Sequence, residues 1–248
     1  MTEHAAKAID ANIKLHERLI VALDVSAISE ARKIIDELRG AVGAFKIGLQ
    51  LFTAGGPDFV REVSLSGVKV FLDLKFHDIP NTVAAAAVEA ARLGVWMLNI
   101  HASGGREMME RTVSDVRSAC EREDLPVPKI IAVTVLTSAD QETLRQIGVE
   151  RDIAEQVATL AKLTADCGLD GVVASAQEVG IIRETVKRDD FLIVTPGIRP
   201  ISATNDDQRR VMTFARAIAA GSDYAVVGRP ITRAVNRLAA IEEMIAAV

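Results

Sequence analysis

The stretch Val70-Phe71-Leu72-Asp73-Leu74-Lys75-Phe76-His77-Asp78-Ile79-Pro80-Asn81-Thr82 begins as a buried β-strand and closes on three charged residues, Asp73, Lys75 and Asp78. Side chains alternate between the faces of a strand. Asp73 and Lys75 are therefore predicted to share one face, while Leu72 and Leu74 enter an apolar layer on the other. A buried charge is costly unless paired. A carboxylate and an ammonium side by side at the end of a buried strand thus predict a reaction site. With Lys46 the set alternates in sign, and the competing reading is a purely structural ion-pair network.

On either side of this stretch, short β-branched runs alternate with amphipathic ones. The predicted strands are 19–24, 44–48, 69–75, 96–101, 129–136, 171–174, 192–195 and 224–228. The predicted helices are 29–38, 58–66, 82–93, 106–122, 152–167, 177–187, 209–220 and 230–247. Ser29 is a candidate N-cap and Pro230 suits a first helical turn. Eight strand–helix repeats in one chain predict a (β/α)8 barrel, a TIM barrel, as a single domain over residues 19–248 behind an N-terminal extension of residues 1–18. An open doubly wound sheet is the alternative, but Leu23-Asp24-Val25-Ser26 is not the glycine-rich turn that such a sheet carries after its first strand.

The bulk properties fit one large domain. The chain has 248 residues, of which 49% are hydrophobic and 25% charged. Its formal net charge of −5 is spread without a block of one sign, which argues against a nucleic-acid surface. The two cysteines, Cys120 and Cys167, are far apart and outside any C-x-x-C pattern, so they read as buried thiols. With neither a continuous apolar leader nor a run long enough to span a bilayer, the chain is expected to be cytoplasmic, with no membrane partner.

In such a barrel, chemistry belongs at the C-terminal ends of the strands. This sequence places there Asp24, Lys46, Asp73, Lys75, Asp78, Asn99, His101, Thr137, Ser138, Arg199 and Arg229. Gly197 and Gly228 follow strands seven and eight, whose loops often hold phosphate in this fold; Arg229 adds a charged fork there. Otherwise Arg229 is a solvated arginine at a helix start. His77 is left out of the chemistry by strand alternation, and His101 reads as a hydrogen-bonded histidine. Ser138 has no evident base and suits a substrate contact. No metal ligand set has convincing spacing.

The run from Asp73 to Thr82 resembles the signature of the orotidine 5′-phosphate decarboxylase family. Leu23-Asp24-Val25, Phe45-Lys46-Ile47-Gly48, Asn99-Ile100-His101-Ala102-Ser103-Gly104-Gly105, Val135-Leu136-Thr137-Ser138, Thr195-Pro196-Gly197-Ile198-Arg199-Pro200 and Val227-Gly228-Arg229-Pro230-Ile231-Thr232 resemble it in the same order. The resemblance implies cofactor-independent decarboxylation of orotidine 5′-monophosphate to uridine 5′-monophosphate and CO2, the last step of de novo pyrimidine nucleotide synthesis. It implies that Asp24 and Lys46 hold ribose hydroxyls, that Asp73 sits beside the substrate carboxylate, and that Lys75 donates the proton to C6. Asp78 and Thr82 are implied to reach into the neighbouring subunit's site of a homodimer. Ser138 and Pro196 are implied at the base, and Gln208, Gly228 and Arg229 at the phosphate, under a lid that begins at Arg199. Two departures stand out. Phe214 occupies a position after Met212-Thr213 where bacterial members often have proline, and residues 201–206 lack a glycine. Three other readings make distinct predictions: a Mg²⁺-dependent sugar-phosphate lyase, a Schiff-base aldolase using Lys75, and a nucleotide-binding regulator.

Overall fold

In the computed structural model, which describes residues 15–199 and 212–248, eight short parallel strands close on themselves. They are β1 (Leu19–Ala22), β2 (Ala44–Gly48), β3 (Val70–Phe76), β4 (Met97–His101), β5 (Lys129–Val133), β6 (Gly171–Val173), β7 (Leu192–Thr195) and β8 (Tyr224–Val227). Each pairs with the next, and β1 pairs with β8. The helices between them are α1 (Ile28–Leu38), α2 (Leu49–Leu65), α3 (Pro80–Arg92), α4 (Gly105–Glu123), α5 (Gln141–Gln146), α6 (Ile153–Asp166), α7 (Val179–Thr185), α8 (Phe214–Ala219), α9 (Arg229–Thr232) and α10 (Arg237–Ala246). This is the (β/α)8 barrel that the alternation predicts.

Strand periodicity explains how the barrel fills. Outward-facing Leu19, Val21, Phe45, Ile47, Val70, Leu72, Leu98 and Ile100 pack against the helices. Inward-facing Ile20, Ala22, Ala44, Phe71, Met97, Ile131, Val133, Val173, Val194 and Val226 form a separate apolar plug. Burying each larger side chain contributes roughly 1.5–3 kcal/mol. The next inward position above Ala44 is Lys46, above Phe71 it is Asp73, and above Met97 it is Asn99. The polar layer thus rests directly on the plug.

Strand β3 departs from the simple pleat. Its register with β4 runs Phe71↔Met97 and Leu72↔Leu98, then resumes at Phe76↔Ile100, two residues later than regular pairing places it. Lys75 lies inside this bulge with φ 51°, a left-handed conformation that is uncommon outside glycine. Alternation therefore puts Asp73 on the inner face, but the bulge, not the pleat, delivers Lys75 beside it.

Several predicted bounds are corrected. Helix α1 starts at Ile28 with Ala27 as its cap, so Ser29 lies inside the first turn. Helix α2 is two helical stretches that meet at Gly56, whose φ of 65° and ψ of −172° are not helical; the second stretch matches the predicted helix 58–66, and the first, from Leu49, has no predicted counterpart. The predicted helix 230–247 is two helices, the second capped by the Asn236 side chain accepting from Ala239 N. No predicted helix corresponds to α5, which Asp140 caps. Of the predicted helix 209–220, residues 209–211 lie outside the described residues and α8 covers Phe214–Ala219. Phe214 fills its first helical position and is buried, with Thr213 as the cap. Strand β5 ends at Val133 rather than Leu136.

At the opposite, N-terminal end of the barrel, Leu15 packs on the core, and Arg18 donates hydrogen bonds to the carbonyls of Ser222 and Asp223. Residues 1–14 lie outside the described residues. Cys120 and Cys167 are both buried, and burial pushes both thiols up. Among the described residues no helix is long and apolar enough to cross a membrane.

Candidate active site

The C-terminal mouth of the barrel holds a cavity of about 330 Å³. Ala22, Phe71, Val133, Val173 and Val226, part of the apolar plug, form its floor. Asp24, Lys46, Asp73 and Lys75 line one side; Pro196, Gly197, Arg199, Gly228 and Arg229 line the other. Val135 to Ser138 and Ala174 complete the wall.

The first side is a connected charge network. Lys46 Nζ lies 3.1 Å from Asp73 Oδ2 and 3.3 Å from Asp24 Oδ1. Lys75 Nζ donates to Asp73 Oδ1 at 2.6 Å. Asn99 Nδ2 donates to the same Asp73 oxygen at 2.7 Å, and Asn99 Oδ1 accepts from the Lys75 backbone N–H at 2.8 Å. Asp73 is 8% exposed and Asn99 0%. Burial acts to raise the pKa of Asp73. The ammonium groups of Lys46 and Lys75, with hydrogen bonds from Lys75 and Asn99, outweigh it and hold the carboxyl at about 2. Burial likewise acts to lower the pKa of Lys46, but Asp73 and then Asp24 carry it upward. Asp73 is therefore a carboxylate and Lys46 an ammonium at neutral pH.

The second side is built mainly from backbone. Gly197 follows β7 with φ 79°, and Arg199 N bonds to Met212 O at 3.0 Å. Gly228 follows β8. A Cβ there would come within 2.9 Å of Asp24 Oδ2, so glycine lets the β8 loop approach the β1 loop. Arg229 opens α9, which is a single turn.

The structure brings together Asp24, Lys46, Asp73, Lys75, Ser138, Pro196, Arg199, Gly228 and Arg229. It does not bring Asp78 or Thr82 into this chain's cavity. Asp78 is exposed and its Oδ1 accepts from Ile79 N at 2.6 Å; Thr82 is exposed in the first turn of α3. Within one chain, then, the acidic residue that joins Lys46, Asp73 and Lys75 is Asp24. Gln208, and all of the expected lid after Arg199, lie outside the described residues. His101 does not line the cavity. Its ring is tilted against that of His77 with 5.3 Å between centroids, and burial, then His77 and Lys75, push its pKa down. Asn99 stands among the predicted strand-end polar residues with no role in the predicted site; its place two residues after inward-facing Met97 is the signal that finds it. Among the described residues, no group of three or more His, Cys, Asp or Glu side chains is placed to hold a metal ion.

Comparison with known proteins bears on this constellation. The family model for "Orotidine 5′-phosphate decarboxylase / HUMPS family" matches residues 17–244. The chain belongs to that family. Among its relatives, a protein named orotidine 5′-phosphate decarboxylase from Syntrophotalea carbinolica is 53% identical over 241 residues, covering 95% of this chain and 98% of that one. One of the same name from Moorella thermoacetica is 50% identical over 239 residues, covering 95% and 94%. A crystal structure of orotidine 5′-phosphate decarboxylase from Lactobacillus acidophilus superposes with a TM-score of 0.79 at 40% identity, over 91% of this chain and 96% of that one. The orotidine 5′-phosphate decarboxylase / HUMPS match spans the whole barrel, including every residue of the charge network.

Proposed function

We propose that this protein converts orotidine 5′-monophosphate to uridine 5′-monophosphate and CO2 by fixed charge alone. The observation that carries the reading is the Lys46–Asp73–Lys75 network at the mouth of the barrel, in a chain about half identical, end to end, to proteins bearing that name. Loss of CO2 from C6 leaves an electron pair in the plane of the pyrimidine ring, with little resonance relief. The Lys75 ammonium stabilises the developing negative charge in a water-poor site and then delivers its proton to C6. Asp73, ionised and 2.6 Å from Lys75, sits beside the departing carboxylate and holds the ammonium in line. Lys46 and Asp24 take the ribose hydroxyls, Ser138 and Pro196 the base. Arg229, with the backbone at Gly228 and with Arg199 and Gln208 from the adjoining loop, takes the phosphate.

The reading includes a homodimer in which Asp78 and Thr82 complete the site of a second copy. It is supported by the exposure of both residues and of Ile79 between them, 66% exposed. A further recess of about 150 Å³ borders Asp24, Lys46, Asp73 and Lys75 and leaves room for such a contribution. If sites are shared, mixing inactive Lys75→Ala and Asp78→Ala proteins restores turnover through hybrid dimers; no recovery contradicts the shared site. The proposed cytoplasmic location follows from the reaction, which consumes and releases unanchored nucleotides.

The test of the function is the ultraviolet absorbance of orotidine 5′-monophosphate mixed with purified protein, with and without EDTA. Rapid, EDTA-insensitive conversion to uridine 5′-monophosphate is expected. A folded protein that leaves the nucleotide untouched, but acts on a sugar phosphate with Mg²⁺, would overturn the reading.

A further inference from the structure

We infer that Asn99 is a positioning residue of the decarboxylation, one that sets the place of the Lys75 ammonium through the Lys75 backbone while orienting the Asp73 carboxylate. This inference rests on the function proposed above and deepens it.

Lys75 and Asp124 are the non-glycine residues with positive φ among those described. Asp124 terminates a helix, where such a conformation is common. Lys75 sits inside a strand, where it is strained and persists only if its surroundings over-determine it. The register of β3 on β4 fails between Leu72 and Phe76, so the Lys75 N–H does not follow the regular ladder. Its partner is instead the Asn99 side chain, 24 residues away, at 2.8 Å.

The amide of Asn99 has one acceptor end and one donor end, and both are used. Oδ1 faces the Lys75 N–H, and Nδ2 faces Asp73 Oδ1 at 2.7 Å. The reverse orientation would set a donor against an N–H and an acceptor against a carboxylate, so the network admits a single arrangement. Asp73 Oδ1 also receives Lys75 Nζ at 2.6 Å, which closes a ring through side chain, backbone and amide. Asn99 is fully buried above Met97 and absent from the cavity wall. It therefore acts through its two neighbours, without touching substrate. An aspartate of nearly the same size supplies the acceptor but not the donor; a leucine supplies neither.

The test compares wild type with Asn99→Leu and Asn99→Asp, both checked for folding by circular dichroism. Turnover of orotidine 5′-monophosphate is measured across pH, and the Asp73 carboxyl is titrated by ¹³C NMR without substrate. We expect kcat to fall on the order of 10²-fold in both variants at neutral pH, the usual cost of a small misplacement of a reacting group. KM should stay within about threefold, since the groups assigned to ribose and phosphate are untouched. The Asp73 carboxyl should titrate higher in Asn99→Leu than in wild type. In Asn99→Asp, kcat should rise as pH is lowered, because two carboxyls that share a site take up one proton and regain a donor. That slope is one a merely structural role would not produce. If Asn99→Leu does not fold, Asn99→Asp carries the test. Variants that keep wild-type kcat at every pH, with Asp73 titrating unchanged, overturn the inference. A wild type that does not turn over the nucleotide overturns the proposed function instead, and the Asp73 titration still decides whether Asn99 orients that carboxylate.

Discussion

The two sides of the barrel mouth are built on different principles. On the β2–β4 side, Lys46, Asp73, Lys75 and Asn99 hold one another, each polar group fixed by at least one other over 2.6–3.1 Å. On the β7–β8 side, the cavity is walled by Pro196, Gly197, Gly228, Arg199 and Arg229, the last at the start of a one-turn helix. The contrast matches what each is asked to do. Charge that must meet a transient carbanion has to be in place beforehand, because reorganising it during the reaction would forfeit the stabilisation. The proposed phosphate grip has a permanent dianion to hold, and backbone groups with the guanidinium groups of Arg199 and Arg229 suit it.

The largest way to break this comparison is Lys75→Ala. It removes both the cation and the proton donor, and kcat is expected to drop at least ~10³-fold. Binding of uridine 5′-monophosphate, measured by calorimetry, should change far less. A variant within tenfold of wild type would mean that the β2–β4 side is a structural ion-pair network after all. Next comes Arg229→Ala, expected to lower kcat/KM for orotidine 5′-monophosphate by ~10²-fold, as for loss of a charged anchor. The same substitution should barely affect the phosphate-free nucleoside. Equal losses on both substrates would remove phosphate recognition from this side.

The third prediction concerns stability. The carboxyl of Asp73 lies at about 2, below its ordinary 3.8. A depressed carboxyl contributes stability that is fully present above its unfolded pKa and is lost as pH falls through the folded one. The contribution is about 2 kcal/mol, and it should fade between about pH 4 and pH 2. Urea unfolding of wild type and Asp73→Asn reads it as a stability gap that narrows over that window. A gap that does not depend on pH contradicts the network's electrostatics. The smallest effect is expected where the two sides touch. Gly228→Ala places a Cβ 2.9 Å from Asp24 Oδ2 and so disturbs the Asp24–Lys46 pair. A rise of about tenfold in KM with kcat nearly unchanged is expected, since uniform binding is what is lost.

Much of this was legible because it depends on period and position. Strands of period two, each followed by a helical run, identify the barrel. The inward phase of Phe71 identifies Asp73 two residues later, and one glycine after each of strands seven and eight, Gly197 and Gly228, marks the loops of the opposite wall. What escaped depends on contacts distant in sequence. Alternation does not foresee the left-handed turn at Lys75, because its backbone partner comes from β4. The sequence places Asn99 at a strand end but does not show its contact with Asp73, which comes from the Phe71↔Met97 pairing of β3 with β4. The first stretch of α2, from Leu49, has no predicted counterpart; the non-helical backbone of Gly56 separates it from the stretch that does. Asp78 and Thr82 do not line the cavity at the barrel mouth of this chain, so the proposal that they take part in the site calls for a second copy.

The most direct test of the division between the two sides is kcat/KM for orotidine 5′-monophosphate in wild type, Lys75→Ala, Arg229→Ala and the double variant. If one side does the chemistry and the other grips the phosphate, the two losses multiply, to within about threefold. A double variant no slower than Lys75→Ala alone would show that both residues act as one unit, and the division would fall.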